Sequence, residues 1–156
     1  MRRWIVAAAI AALACTAAVA DEELDKRFGK DVLIIEASTH ACHRFDIYVA
    51  ADNTQRSRGL MFVRDLAATT GMLFIYNNEP ASMWMKNTFI PLDILFIRKD
   101  GTVSSIAHHT EPQSLRSIYS IEPISFVLEL NAGTAERLVI DENSRIYWEP
   151  AHGDVE

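Results

Sequence analysis

At 156 residues, the chain is long enough for one domain with a packed core and too short for two ordinary ones. Its 15 basic and 21 acidic side chains give a net charge of −6 with no basic run, which argues against a surface built for nucleic acid or anionic membrane. Two cysteines, Cys15 and Cys42, are too few for a disulfide framework.

Residues 1–20 follow secretory logic: Arg2 and Arg3, an apolar run from Trp4 to Ala14, then Ala18-Val19-Ala20 as a small-residue cleavage site ahead of acidic Asp21. The expectation is a cleaved signal peptide and a periplasmic or secreted product. A retained anchor is disfavoured because the apolar run falls short of the roughly 20 residues that span a bilayer. Lipidation is the other alternative, since Leu13-Ala14-Cys15 places a cysteine where a bacterial lipoprotein carries its acyl chains, with Ala12 making the box imperfect. Cleavage after Ala20 leaves 136 of the 156 residues and no membrane span; losing Arg2 and Arg3 leaves 13 basic residues against 21 acidic, a net charge of −8. Only Cys42 then remains, so stability must come from packing rather than from an intrachain disulfide.

Residues 21–30 are charged and lack sustained apolar periodicity, which predicts a flexible leader or a frayed helix. A single domain is expected over 31–150, followed by a short tail at 151–156. Within it the apolar runs are short and rich in Val, Ile, Phe and Tyr: Val32 to Ala37, Phe45 to Ala50, Met72 to Tyr76, Leu92 to Ile97, Thr102 to Ala107, Ile124 to Leu130 and Arg145 to Trp148. These read as strands. Asp100-Gly101 accepts positive φ and predicts a tight hairpin pairing Leu92 to Arg98 with Thr102 to Ala107. Asn53-Thr54 can cap a short helix through Gln55 to Leu60, and Asn131 or Thr134 can cap Ala135 to Ile140, with Leu138 and Val139 facing the sheet. The class expected is α+β: a mainly antiparallel, strongly curled or barrel-like β-sheet with two short helices. Gly59, Gly71 and Gly133 mark turns or close backbone approaches.

Five motifs stand in order along this domain: Arg58-Gly59-Leu60-Met61-Phe62, Gly71-Met72-Leu73-Phe74, Trp84-Met85-Lys86-Asn87-Thr88, Ile90-Pro91-Leu92-Asp93-Ile94, and Val127-Leu128-Glu129-Leu130-Asn131 with Gly133. Together they resemble the DUF192 (UPF0127) family over roughly Val32 to Trp148. The resemblance implies a small secreted or periplasmic domain behind a signal peptide, of unassigned molecular function. The chain departs from the pattern at Val63, where a basic residue is expected directly after the aromatic and Arg64 follows instead. It departs again at Asp141-Glu142-Asn143-Ser144, where a Gly-Asp turn is usual.

The candidate chemistry centres on Met83 to Ile97, where Lys86, Asn87, Thr88 and Asp93 interrupt an almost wholly apolar run. Polar groups in such a setting need partners or a purpose. Alternation places Asp93 on the strand face of Leu95 and Ile97, opposite Ile94 and Phe96. One reading is a buried Asp93 salt bridge, to Lys86 or Arg58, that pins the turn at Pro91. The other is a pocket in which Lys86 and Arg58 bind an anionic group, Asn87 and Thr88 supply hydrogen bonds, and Asp93 orients a cation. Glu129, on the face of Val127, forms with Asp93 a carboxylate pair of the kind a hydrolase uses as acid and base. No nucleophile elbow, Walker loop or zincin motif accompanies it.

Weaker signals complete the list. His40 and Cys42 share a strand face with His43 opposite, and a metal site there would need His108, His109 or His152 as well, so no specific metal is assigned. Met61, Met72, Met83 and Met85, with Trp84, suggest a Cu(I) site, against the structural alternative of core filler. Trp84, Tyr119 and Trp148 are large rings beside short strands and suit a protein partner. Glu111 to Pro123 reads as a long loop whose Ser117, Tyr119 and Ser120 can reach a ligand. The sequence therefore predicts a binding or accessory module without a cofactor, taking a small polar or anionic ligand or a protein partner. The alternatives are a hydrolase using Asp93 and Glu129, a protein-interaction module, or a Cu(I)-binding protein.

Overall fold

The computed structural model describes residues 22–150. The leader with Cys15 and the tail at 151–156 lie outside the described residues. Nine strands and three short helices run in the order α1 (residues 22–27), β1 (Gly29–Glu36), β2 (Cys42–Ala50), α2 (Asn53–Arg58), β3 (Thr70–Glu79), β4 (Ser82–Met83), β5 (Leu92–Ile97), β6 (Val103–Ala107), β7 (Ile118–Tyr119), β8 (Ile124–Asn131), α3 (Thr134–Leu138) and β9 (Arg145–Tyr147).

Seven strands form one sheet in the order β6-β5-β8-β3-β2-β1-β9, with β4 and β7 forming a separate ribbon. Every pairing is antiparallel except that of β2 with β3, whose parallel arrangement needs the crossover that α2 provides. The sheet curls until its ends touch. Thr102 bridges Arg145, and the Ile146 N–H donates to the Gly101 carbonyl at 2.8 Å.

Curling gives the sheet two apolar faces, and alternation sorts side chains between them. The inner cluster takes Leu33 and Ile35, Phe45 and Ile47, Leu73, Leu95 and Ile97, Val103, Leu128 and Leu130, and Ile146, so all seven strands contribute to it. The outer cluster takes Tyr48, Met72, Phe74, Leu92, Ile94, Phe96 and Val127 from the middle strands, and is covered by Leu24, Phe28, Leu60, Val63 and Met83. Strand β5 is buried on both sides, which is why its sequence reads as a continuous apolar run around Asp93.

Of the two readings of this stretch, flexible leader or frayed helix, residues 22–30 match the helix, and it is packed rather than frayed. Residues 22–27 are helical and residues 29 and 30 already belong to β1. Leu24 and Phe28 stand four residues apart and both plug into the outer cluster. The charges that suggested mobility form a row along the exposed side, with Lys26 pairing Glu22 at 2.7 Å and Arg27 pairing Glu23 at 3.2 Å. Two details of the other helices also change. Asp52, not Asn53, caps α2, in a capping box with Gln55. In α3, Leu138 packs on the inner cluster while Val139 is left-handed and exposed.

The predicted hairpin at Asp100-Gly101 is present, joining β5 to β6. Gly101 has φ +85, and a Cβ there would lie 2.3 Å from the Ile146 carbonyl oxygen. Gly101→Ala is therefore expected to cost about 2 kcal/mol, from the left-handed backbone and from loosening the seam between Gly101 and β9. A fall in the urea midpoint at unchanged m-value would register it; a midpoint equal to the parent's would mean that the seam yields freely.

Candidate functional site

Asp93 is fully buried, on the predicted face, and both of its oxygens are used by the fold. Oδ1 accepts the backbone N–H of His109 at 3.0 Å, and Oδ2 accepts that of Ala135 at 2.9 Å. Ala135 is the second residue of α3, whose N-cap, Gly133, offers no side chain. Asp93 thus caps α3 from a neighbouring strand. The expected salt bridge to Lys86 or Arg58 is absent among the described residues, because backbone donors satisfy the carboxylate instead.

The pocket predicted around Lys86 and Asp93 is likewise divided by the sheet. Asp93 pairs across to Leu130 and shares its face, whereas Ile94 pairs to Glu129 and shares the opposite one. Asp93 and Glu129 therefore point to different sides, and the structure does not bring them together as an acid and base pair. Asn87 is also structural. Its backbone is left-handed (φ 56), its carbonyl accepts the Phe62 N–H at 2.8 Å, and its amide donates to Met61 Sδ.

Arg58, Lys86, Thr88 and Glu129 do converge, on a cleft of about 340 Å3 on the outer face. Arg56, Met61, Phe74, Tyr76, Met83 and Trp84 are among the other residues of its walls. Arg58 ends α2; its side chain is 22% exposed, lies 4.6 Å over the Phe62 ring, and pairs with Glu23 of α1 at 2.9 Å. Lys86 is exposed, with Nζ 4.9 Å from the Trp84 ring centre and no ion pair among the described residues. Thr88 is buried and holds the turn, donating its N–H to the Met85 carbonyl at 3.0 Å.

Glu129 is the exceptional group. It sits mid-sheet in β8, between Met72 of β3 and Ile94 of β5, and is only 4% exposed. Its carboxyl makes no hydrogen bond and no ion pair among the described residues. Burial alone, with no compensating cation, pushes its pKa from 4.5 to about 8. Beside it, burial also raises the Tyr76 phenol, whose hydroxyl donates to Met83 Sδ at 3.5 Å while Arg56 lies 5.0 Å over its ring. Sequence reasoning found Glu129 but missed Arg56 and Tyr76. Tyr76 follows Phe74 by two along β3, so alternation carried the signal for its face.

The remaining candidates do not gather into sites. His40 is exposed in a left-handed turn before β2, with Nδ1 3.1 Å from Glu36, rather than on a strand with Cys42. Among the described residues no group of three or more His, Cys, Asp and Glu is placed to hold a metal. Met83 and Met85 point inward and Trp84 outward, as alternation predicts, but into separate cavities: Met83 lines the cleft, and Met85 lies beside His108 and accepts the Thr110 hydroxyl at 3.2 Å. Trp84 and Tyr119 are 46% and 68% exposed. Trp148 instead packs edge-on against Phe126, its indole donating to Asp31 at 3.0 Å. The segment read as a loop from Glu111 contains β7, which straps onto β4, with Ser120 bonded to Ala81 through both its N–H and its hydroxyl. Arg64, one place later than the expected basic residue, stacks over Phe89 at 4.5 Å, while Val63 fills the outer cluster.

Solved structures share this architecture. One is a "putative transcription regulator" from Sinorhizobium meliloti 1021, 40% identical, with a TM-score of 0.76, covering 77% of this chain and 94% of that one. Another is a protein of unknown function from Novosphingobium aromaticivorans DSM 12444, 33% identical, with a TM-score of 0.74, covering 76% and 85%. A comparison with curated proteins gives no match. The model of the family DUF192, "Uncharacterized ACR", matches residues 34–148, a span that holds Asp93, the cleft of Arg58, Lys86 and Glu129, and nearly the whole curled sheet: the chain belongs to the DUF192 family.

Proposed function

We propose that the protein is an exported binding module that takes a small polar or anionic ligand in the outer cleft between Arg58, Lys86 and Glu129. The observation that carries this reading is a largely buried carboxyl with no hydrogen-bond or ion-pair partner among the described residues, at a cavity wall. Such a group costs the fold stability when it ionises, which is the pattern of a site kept for a ligand. Lys86, exposed and unpaired at the same cleft, supplies a cation available to an anionic group. Export is supported by Arg2, Arg3, the apolar run that follows and Ala18-Val19-Ala20. An excess of 21 acidic over 15 basic residues opposes the nucleic-acid role suggested by the name of the Sinorhizobium neighbour.

A thermal-shift screen with small carboxylates, sugars, nucleotides and metal ions, run in parallel on Lys86→Ala, tests the reading. Lys86→Ala should melt within about 2 °C of the parent, because an exposed, unpaired side chain contributes little to folding. A ligand that stabilises the parent should lose most of its shift in the variant. A shift retained in Lys86→Ala, or a large fall in its own melting temperature, would remove Lys86 from the site.

A further inference from the structure

The cleft carries an ammonium and a carboxyl group that do not close on one another. Lys86 and Glu129 both line it, yet no ion pair joins them; among the described residues Glu129 has no hydrogen-bond or ion-pair partner, and Lys86 meets the Trp84 ring but no carboxylate. The exposed ammonium stands at the mouth and the buried carboxyl at the wall formed by the sheet. Arg58, the other cation named from the sequence, is already engaged by Glu23.

Resting on the reading above, we propose that the ligand is a small zwitterion of the α-amino acid class, its primary ammonium donating to Glu129 and its carboxylate meeting Lys86. A ligand bearing only an anion would meet Lys86 and leave the Glu129 carboxyl without a partner. A neutral hydroxyl would give Glu129 one hydrogen bond and leave Lys86 without a counter-charge. A primary ammonium supplies both a charge and three donors in a setting walled by Met61 and Met83, where a low dielectric strengthens the pair. A quaternary ammonium held in an aromatic cage does not fit, because two of the three rings lining the cleft, Tyr76 and Trp84, already lie under Arg56 and Lys86, and Phe74 alone makes no cage. A cavity of about 340 Å3 suits a ligand of this size.

The direction of proton exchange separates this ligand from a simple anion. Before binding, Glu129 holds a proton at neutral pH. Pairing with an ammonium stabilises the carboxylate and releases that proton, whereas binding an anion keeps it in place. The experiment is calorimetric titration of the whole protein at pH 7, in buffers of different ionisation enthalpy. The probes are the common L-amino acids, their N-acetyl forms and the matching amines without a carboxylate.

At least one amino acid should bind with release of about one proton, and its N-acetyl form should bind at least about tenfold more weakly. Glu129→Gln should abolish the release, and Lys86→Ala should reduce the amino acid to the affinity of its amine. If N-acetyl forms or plain carboxylates bind as well as amino acids and no proton is released, the zwitterion is wrong and the anion-binding cleft stands. If amino acids, N-acetyl forms and amines all fail while the broader screen gives a shift that depends on Lys86, the zwitterion again falls alone. If that screen is blank too, both fall. Proton release is read on the unmodified protein, so the test does not depend on either variant folding.

Discussion

Asp93→Ala is expected to lower folding stability by about 2–4 kcal/mol, because it orphans one buried and one part-buried backbone donor at once, the buried one alone costing roughly 1–3 kcal/mol. The Ala135 N–H is buried where water does not replace the lost oxygen, whereas the His109 N–H is only part-buried. The loss falls on a vulnerable element: α3 has five residues, and Gly133 brings no capping side chain of its own. Asp93→Asn keeps one acceptor and should cost about half as much. Urea denaturation at constant m-value would measure both, and amide exchange should accelerate at Ala135 and His109 before it does in the central strands. Because Asp93 lies on the inner face, Asp93→Asn should bind a cleft ligand as the parent does. An Asp93→Ala protein melting with the parent would mean that α3 does not depend on this carboxylate.

The same residue shows where reading the sequence succeeds and where it stops. Period-two alternation placed Asp93 with Leu95 and Ile97 and Glu129 with Val127, and the sheet register agrees with both. The strands and the Asp100-Gly101 hairpin were legible for the same local reason. What Asp93 bonds to was not legible, since every residue but proline owns an N–H and nothing in the sequence singles out His109 or Ala135. The cation partners assigned to Asp93 came from charge alone, and charge does not say on which side of a sheet a side chain emerges. Helix α1 was one of two readings, and its packing was hidden because two buried residues, Leu24 and Phe28, are outnumbered by charges whose i, i+4 pairing becomes visible only once the helix exists. Strands β4 and β7, two residues each, are too short for any alternation to show. The parallel β2 and β3 pair was within reach: a helical segment between two strands allows a crossover as readily as it allows a decoration.

Glu129→Gln is expected to stabilise the protein above neutral pH and to change little below pH 5. In the unfolded chain the carboxyl ionises near its ordinary pKa of 4.5, while in the fold it holds its proton to about 8. At low pH both states are protonated and the group is indifferent. Between the two values the folded state binds the extra proton, so stability falls as pH rises, by up to about 1.4 kcal/mol per unit. Above about 8 both states are ionised and the loss, of several kcal/mol, is complete. Glutamine carries no such proton, so the variant should lack this slope and the two stability curves should diverge steadily from pH 5 to 8. Asp25, Glu36, Asp100 and Glu122 have lowered values from their hydrogen-bonding partners and act in the opposite sense at lower pH. Present in both proteins, they cancel in the difference. Parallel curves over this window would mean that Glu129 is compensated in solution. An ammonium ligand supplies that compensation deliberately, so saturating the parent with one should flatten its curve as the substitution does.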